Sequence, residues 1–345
     1  MIDTDLIARV DALAPVALAE APVPGLAVAL VDSTGDIWVG AYGVADVSSG
    51  RPVSPGTVFE AASITKPVVA LGILGLVGEG VLDLDRPLDT YLGAPYLPTE
   101  GRAAAITARM VLGHTTGFPN WRPRGQPLTL LRDPGTRFGY SGEGYVYLQK
   151  VVEHLTRAPL DRLIEERVLT PLGMTDTALV WRDALEPRVA VGHNKGGSAV
   201  PKEKPLRANA AWSLHTTAPD LARFVGAMIR PTPPGNGIPA DVTREVTAHF
   251  ADSLLRPHIT LHGSLAWGLG WGLHHGSAGE DLFWHWGDNV GYKAFIAGSR
   301  PRGLGIAVLT NGNAGLAAAE RLVKAALPSL DAPFDALRDF SRYVS

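Results

Sequence analysis

The stretch SITKPVVALGILGLVGEG, residues 63–80, is the strongest structural signal in the chain. Its residues are apolar on nearly every side of a helical projection, which predicts a helix buried in the protein core. Ser63 stands at the position typical of an N-cap, and Gly78 and Gly80 suit the end of a helix. Pro67 is tolerated in the first turn, because N–H groups there have no partner within the helix. We therefore expect the core to form around residues 63–80.

Ser63 and Lys66 lie three residues apart at the start of this helix, so their side chains share one face. A serine hydroxyl is a weak nucleophile unless a base lies beside it. A lysine amine can be that base where burial lowers its pKa, and the apolar neighbours Val68, Val69 and Leu71 provide such surroundings. The Ser63 N–H at the helix start is free to bind a developing oxyanion. Taken alone, a Ser-x-x-Lys sequence is more typical of an ordinary N-cap serine than of a catalytic pair.

Two further short motifs carry groups that suit the same chemistry. The sequence YSG at residues 140–142 precedes a predicted helix. A phenol beside a lysine ammonium has its ionised form favoured, so Tyr140 is a candidate proton shuttle. The sequence HWG at residues 285–287 lies within a strand-like run, where Gly287 permits close approach of the backbone. The backbone N–H after Gly287 is a candidate second oxyanion donor, although each motif alone is more typical of packing.

Together the three motifs resemble those of the serine β-lactamase-like and penicillin-recognising hydrolases, particularly the class C-like branch, which includes family VIII carboxylesterases. The similarity runs across nearly the whole chain, and most of the additional matching stretches are structural in that family. These stretches are GVLDLDRP at 80–87, ITARMVLGHTTGF at 106–118, PLGMTDT at 171–177, WSLHTTAPDLARF at 212–224, WGLGWG at 267–272 and VLTN at 308–311.

The resemblance implies a role for each residue that matches the family's motifs. Ser63 would be the nucleophile that forms an acyl-enzyme, Lys66 its activating partner and Tyr140 the proton shuttle. The backbone N–H groups of Ser63 and Asp288 would form the oxyanion hole. Whether Lys66 or Tyr140 is the general base stays open at this stage. No metal or organic cofactor is expected.

The chain departs from the family pattern at two positions. The usual Tyr-x-Asn ends here in Gly142, so the amide that holds a substrate carbonyl is missing. The usual Lys-Thr-Gly becomes HWG, so His285 replaces a permanent cation with a weaker one and Trp286 replaces a threonine with an indole. Both changes weaken recognition of a carboxylate and favour esters or other less anionic acyl groups. The residues expected to contact the substrate are His285, Trp286, Gly287, Gly142, Phe118, Trp121 and Trp212.

Three functions are compatible with these residues. A carboxylesterase that hydrolyses small or medium acyl esters is the first. The second keeps the acyl-enzyme but changes the acceptor or donor: an acyltransferase, or a D-amino-acid peptidase or amidase with weak β-lactamase activity. The third, from another class, is a binder or sensor that is acylated on Ser63 and does not turn over.

The order of predicted elements indicates the architecture. We expect an α+β protein of the β-lactamase/transpeptidase type, in which helices flank an antiparallel sheet. Residues 1–81 and 207–345 would form the sheet domain and residues 82–206 a mostly helical insertion, with the site in the cleft between them. Predicted strands lie at 25–32, 36–43, 280–298 and 303–310, predicted helices at 5–20, 63–80, 107–113, 142–157, 160–170 and 314–327, and a loop at 231–240.

Composition excludes several classes of function. The 345 residues carry a formal net charge of −3, so no basic surface is expected to attract nucleic acid or anionic lipid. The chain has no cysteine, which excludes thiol nucleophiles, thiolate metal sites and disulfides. The acidic N-terminus and the lack of a long apolar run predict a cytoplasmic protein without a membrane span. The expected partner is a small-molecule acyl substrate, and the oligomeric state stays open.

Overall fold

A computed structural model of the chain describes residues 1–230, 250–276 and 280–343. The loop predicted at residues 231–240 lies outside the described residues. No helix in these described ranges combines the length and the apolar character that crossing a bilayer requires.

Within the described residues, a nine-stranded sheet forms the centre of the molecule, and every neighbouring pair of its strands is antiparallel. The strand order is β3-β2-β1-β11-β10-β9-β8-β7-β6, so strands from the two ends of the chain meet where β1 pairs with β11. A separate ladder joins β4 and β5. The strands are β1 Gly25–Asp32, β2 Ile37–Asp46, β3 Arg51–Pro52, β4 Phe59–Ala62, β5 Leu214–Thr216, β6 Ile259–His262, β7 Leu265–Trp267, β8 Gly272–His275, β9 Asp281–Asn289, β10 Tyr292–Ser299 and β11 Leu304–Thr310.

Helices cover both faces of the sheet. The α-helices are α1 Thr4–Glu20, α2 Thr65–Gly78, α3 Asp89–Leu92, α4 Ala108–Leu112, α5 Gly142–Thr156, α6 Leu160–Ile164, α7 Ala218–Ile229, α8 Gly315–Ala326 and α9 Asp331–Arg338. Helices α1 and α8 pack together on one face, and α7 packs against β1 and β11 on the other. The α+β fold with a helix-flanked antiparallel sheet is thereby confirmed, whereas the domain boundaries at 81/82 and 206/207 stay a prediction.

Strand β1 explains how one sheet supports two cores. All eight of its residues are buried, because its alternate side chains enter different hydrophobic clusters. Leu26, Val28 and Leu30 pack into the cluster that contains α1 and α8. Ala27 and Ala29 pack on the opposite face, in the larger cluster that includes α2 and α7. A strand covered on both faces is expected to be apolar throughout.

Helix α2 is the buried helix that the sequence predicts, with a difference at its start. It begins at Thr65 and not at Ser63, and its N-cap position is occupied by Ile64, which makes no side-chain cap. Ser63 lies in the turn between β4 and α2, where its hydroxyl faces a side chain and not the helix backbone. The chain reverses sharply there, because Ala62 has a φ of 48°, which is a strained conformation for a residue with a Cβ.

One predicted strand is wrong in its extent. The run at 280–298 forms the hairpin β9–β10 and not a single strand, because the chain turns at Gly291 with a φ of +84°. The hairpin places the HWG motif of β9 beside β4, the strand that leads into Ser63. Two segments far apart in the sequence therefore meet at the start of α2.

Candidate active site

Ser63 and Lys66 are in direct contact at the start of α2. The Lys66 Nζ atom lies 3.0 Å from the Ser63 Oγ atom and 2.9 Å from the carbonyl oxygen of Ala211. The turn that brings them together is closed by the Lys66 N–H, which donates to the Ser63 carbonyl oxygen. The backbone N–H of Ser63 makes no hydrogen bond to any described residue. That N–H is therefore available to an oxygen of a bound molecule.

Burial controls the protonation of Lys66. The side chain is fully buried, and within the described part of the chain no carboxylate lies close enough to pair with it. Removal from water disfavours the ammonium form, which lowers the pKa of Lys66 from 10.5 to about 7. A substantial fraction of the amine is therefore uncharged at neutral pH, and it faces the serine hydroxyl.

Tyr140 lies above this pair. The Lys66 Nζ atom is 4.7 Å from the centre of the Tyr140 ring, and a second ring, that of Tyr145, lies 5.7 Å away. The backbone N–H of Tyr140 donates to the carbonyl oxygen of Tyr343 at 2.6 Å. The Tyr140 hydroxyl has no hydrogen-bond partner among the described residues. The structure thus brings Ser63, Lys66 and Tyr140 together.

The electrostatics of Tyr140 differ from the sequence-based expectation. An ionised phenol was expected beside the lysine, but burial raises the pKa of Tyr140 well above its ordinary value. The nearby Ser63 hydroxyl lowers this pKa, but by less than burial raises it. Because the desolvation cost exceeds that contribution, the phenol stays protonated at neutral pH.

A buried histidine, His114, packs against the Tyr140 ring. The ring of His114 lies 4.2 Å from the Tyr140 ring, and its Nδ1 atom accepts a hydrogen bond from the Ser141 N–H at 3.0 Å. Burial, and secondarily the charge of Lys66, hold the pKa of His114 well below its usual value. A neutral ring that accepts at Nδ1 carries its proton on Nε2. His114 also has a φ of 54°, which fits the tight turn it occupies.

His285 is not the weak cation that the sequence suggests. Its ring is fully buried in β9, and its Nδ1 atom lies 2.8 Å from the Trp286 carbonyl oxygen. Burial, together with the charge of Lys66, lowers the pKa of His285 to about 3. The ring is therefore neutral at physiological pH and offers no positive charge to a substrate.

A cavity of about 450 Å³ opens directly above Ser63. Its walls are Ser63, Asn120, Trp121, Tyr140, Trp212, Trp286, Asp288, Asn289 and Phe340. Of the predicted substrate contacts, Trp121, Trp212 and Trp286 line this cavity, whereas His285, Gly287 and Gly142 are not among its lining residues. Phe118 lies elsewhere, because its ring is buried in the larger hydrophobic cluster and packs edge-on to Tyr147.

Gly287 allows β9 to approach β4, the strand that leads into Ser63. A Cβ atom at this position would lie only 2.1 Å from the carbonyl oxygen of Ala61 in β4. The next residue, Asp288, lines the cavity with Ser63, and its carboxylate pairs with the buried Lys293 amine at 2.8 Å. This ion pair and the missing Cβ together fix the backbone on which the second predicted oxyanion donor lies.

Several residues of the cavity were not predicted from the sequence. Phe340 follows α9 and packs edge-on against Trp286, with 4.6 Å between ring centres. Asn120 and Asn289 contribute amide groups, and the Ala211 carbonyl oxygen holds Lys66. A single asparagine or phenylalanine in a loop carries no periodic signal, so only its position in the fold reveals it. In the sequence, the signal closest to Asn120 is the HTTGF stretch, which ends two residues before it.

Comparisons with known proteins agree with this geometry. Residues 10–328 match the Beta-lactamase family. Esterase EstB from Burkholderia gladioli is 35% identical over 223 residues, which cover 55% of each chain. Penicillin-binding protein 4 from Amycolatopsis lactamdurans is 29% identical over 320 residues, or 84% of this chain and 81% of that protein. A solved class C β-lactamase superposes with a TM-score of 0.81 at 21% identity, covering 95% of this chain and 97% of that one.

These matches establish the family. The chain is a serine hydrolase of the β-lactamase and penicillin-binding protein family, and it has the β-lactamase/transpeptidase fold. The aligned region spans only about half the length of esterase EstB. The acyl group, the acceptor and the roles of individual residues are therefore matters for proposal.

Replacing Gly287 with alanine should disable the site without unfolding the protein. The new Cβ would force β9 away from Ala61 and would displace the Asp288 N–H, and such a misplacement costs about 100-fold in kcat/KM. Gly56→Ala is the matched control, because a Cβ there meets nothing within 4 Å. Steady-state kinetics and circular dichroism of both variants test this, and a fully active Gly287→Ala enzyme would contradict it.

Burial of Lys66 should also be visible in protein stability. Because the pKa falls from 10.5 to about 7 on folding, the unfolded chain binds more protons between these values, and wild-type stability rises with pH there. Relative to Lys66→Met, the unfolding free energy of the wild type should increase by at most about 5 kcal/mol between pH 7 and 10.5. Urea unfolding measures this difference. A free-energy difference between the wild type and Lys66→Met that stays constant across this pH range would refute the shift.

Proposed function

We propose that the protein is a carboxylesterase that hydrolyses neutral esters of small or medium acyl groups through an acyl-enzyme on Ser63. One observation carries this proposal: in the described structure, no lysine or arginine lines the cavity above Ser63, and its one charged wall residue is Asp288. Five aromatic side chains and two amides form most of the remaining wall. Such a surface suits an uncharged acyl group.

In this proposal acylation begins with proton transfer from the Ser63 hydroxyl to the neutral Lys66 amine. The Oγ–C bond forms as the carbonyl π bond opens, and the negative oxygen lies between the N–H groups of Ser63 and Asp288. The 3.0 Å contact between Nζ and Oγ supports Lys66 as the base. The raised pKa of Tyr140 argues against a tyrosinate in that role.

Collapse of the tetrahedral intermediate then breaks the bond to the alcohol. The Tyr140 hydroxyl donates its proton to the leaving oxygen and regains one from the Lys66 ammonium, so the alcohol departs neutral and Lys66 is again uncharged. Deacylation repeats the sequence with water: the water proton passes to Lys66, the hydroxide adds to the acyl carbon, and Ser63 leaves with a proton. The 4.7 Å distance between Nζ and the centre of the Tyr140 ring, and the interaction of the Tyr140 hydroxyl with the nearby Ser63 hydroxyl, support this shuttle role.

A carboxylate-bearing substrate would be poorly held. The neutral His285 stands where related enzymes carry a lysine, so no cation compensates the desolvation of a substrate carboxylate. The match to esterase EstB agrees with an ester substrate, since that relative bears the name of an esterase.

The acceptor deserves a separate test because a second cavity of about 450 Å³ adjoins the first and shares Trp212 and Asn289 with it. This space would suit an alcohol or amine acceptor, which favours acyl transfer as the second candidate function. Product analysis with a competing alcohol distinguishes the two, because a transferase diverts the acyl group from water and a hydrolase does not.

A matched pair of esters tests the proposed substrate class. We expect kcat/KM for p-nitrophenyl butyrate to exceed that for the p-nitrophenyl monoester of succinate by about tenfold or more, because no lysine or arginine among the described lining residues offsets the desolvation of the succinate carboxylate. Ser63→Ala should abolish both activities and also labelling by a fluorophosphonate. Equal rates for the two esters, or an unchanged Ser63→Ala variant, would contradict the proposal.

The pH dependence tests Lys66 as the base. Since only the neutral amine accepts a proton, kcat/KM for a neutral ester should rise with pH, with a midpoint near the Lys66 pKa of about 7. No fall is expected at mildly alkaline pH, because burial keeps Tyr140 protonated. Stopped-flow or plate-reader assays from pH 5 to 9 measure this, and a flat or falling profile would exclude this assignment.

A further inference from the structure

Hydrogen bonds connect residues 119–120 to Ser141 and Gly142 of the YSG motif. The Ser141 hydroxyl donates to the carbonyl oxygen of Pro119 at 2.8 Å. The Gly142 N–H lies 3.0 Å from both the backbone carbonyl oxygen and the side-chain Oδ1 atom of Asn120. These bonds hold residues 119–121 against the motif that carries Tyr140.

An ion pair completes this connection. The buried Glu143 carboxylate accepts from the Arg122 backbone N–H at 3.0 Å and from both sides of its guanidinium group at 2.9 and 2.7 Å. A bidentate pair of this kind fixes geometry as well as charge. The position of the Asn120-Trp121 pair above the motif is therefore rigidly defined.

Trp121 occupies the space that a side chain at position 142 would need. A Cβ atom added to Gly142 would lie 2.5 to 2.9 Å from three atoms of the Trp121 indole. The indole is itself partly exposed and lines the cavity above Ser63. The glycine at the end of YSG and the tryptophan at 121 are thus two parts of one packing arrangement.

The orientation of the Asn120 amide follows from its partner. The Gly142 N–H is a donor, so the atom that faces it must be the amide oxygen, and the NH₂ group must point away. This NH₂ group makes no hydrogen bond to any described residue, while Asn120 lines the cavity beside Ser63 and Trp121. The cavity therefore contains an anchored amide with a free donor.

We propose that Asn120 is the specificity-determining residue that replaces the missing amide at position 142, and that its NH₂ group binds an uncharged acceptor oxygen in the acyl chain. The preferred acyl groups are those that carry a ketone, amide or ether oxygen a few bonds beyond the scissile carbonyl. Trp121 covers the apolar part of the same chain. This inference rests on the proposed esterase function and names its substrate class.

The charge of the site fits this choice of ligand. A neutral amide donor binds a neutral oxygen well, whereas a carboxylate requires a cation that the lining residues do not provide. An acyl chain with an acceptor oxygen can make one neutral hydrogen bond that a purely apolar chain cannot. Such a bond changes the ratio of kcat/KM between the two substrates by about tenfold at most. The effect should consequently appear as a preference between matched substrates.

The test compares esters that differ only by one carbonyl oxygen. The p-nitrophenyl esters of 4-oxopentanoate and 5-oxohexanoate are assayed against those of pentanoate and hexanoate, with uncatalysed hydrolysis subtracted. We expect the wild type to prefer at least one oxo ester by about tenfold in kcat/KM. In Asn120→Asp, which keeps an oxygen for the Gly142 N–H but lacks the donor, this preference should fall to about one. Asn120→Leu should lose it in the same way.

Asn194→Leu is the matched control. Asn194 is exposed and also accepts backbone N–H bonds, from Gly196 and Ser198, but it does not line the cavity, so the preference should persist. A wild type without any preference, or Asn120 variants that lose all activities equally and keep the ratio, would overturn the inference. A wild type that hydrolyses none of the four esters would instead refute the proposed function, and this inference with it.

Discussion

The site depends on one buried amine that has no counter-ion in the described structure. Lys66 lies in the core at the start of α2 and is held only by the Ser63 hydroxyl and the Ala211 carbonyl oxygen. The groups packed around it, His114, His285 and Tyr140, are also kept uncharged by burial. A carboxylate in their place would stabilise the ammonium form and raise the pKa of Lys66. The packing of the core around Lys66 therefore sets the protonation of its amine, and so the chemistry available at Ser63.

The fold assembles this cluster from distant segments, and close backbone contact makes the assembly possible. The hairpin β9–β10 presses against β4 because Gly287 has no Cβ to meet the Ala61 carbonyl oxygen. On the other side, the chain after α9 returns to the site, where Tyr343 accepts the Tyr140 N–H and Phe340 packs on Trp286. The cavity thus depends on contacts among three segments that are far apart in the sequence: β4, the hairpin β9–β10 and the chain after α9.

The departures of this chain from the family motifs have structural counterparts. The glycine at position 142 accompanies the indole of Trp121, which fills the volume that a side chain would take. The histidine at position 285 has its Nδ1 atom beside the Trp286 carbonyl oxygen and is neutral, so the HWG motif brings no positive charge to the site. Both changes move the site away from anionic ligands, which is the physical basis of the proposed preference for neutral esters.

The sequence by itself determined the features that local spacing controls. The apolar run at 63–80 predicts the buried helix, the three-residue interval brings Ser63 and Lys66 onto one face, and apolar strands at both ends predict the helix-flanked sheet. Only the tertiary structure decided that Phe118 lies in the core, that Asn120 and Phe340 reach the cavity, and that Tyr140 stays protonated. Periodicity reports which face of an element is buried. The burial of a particular atom, and its distance from residues remote in sequence, arise from tertiary packing. Burial and distance in turn set the pKa values of the site residues and determine which side chains can contact a substrate.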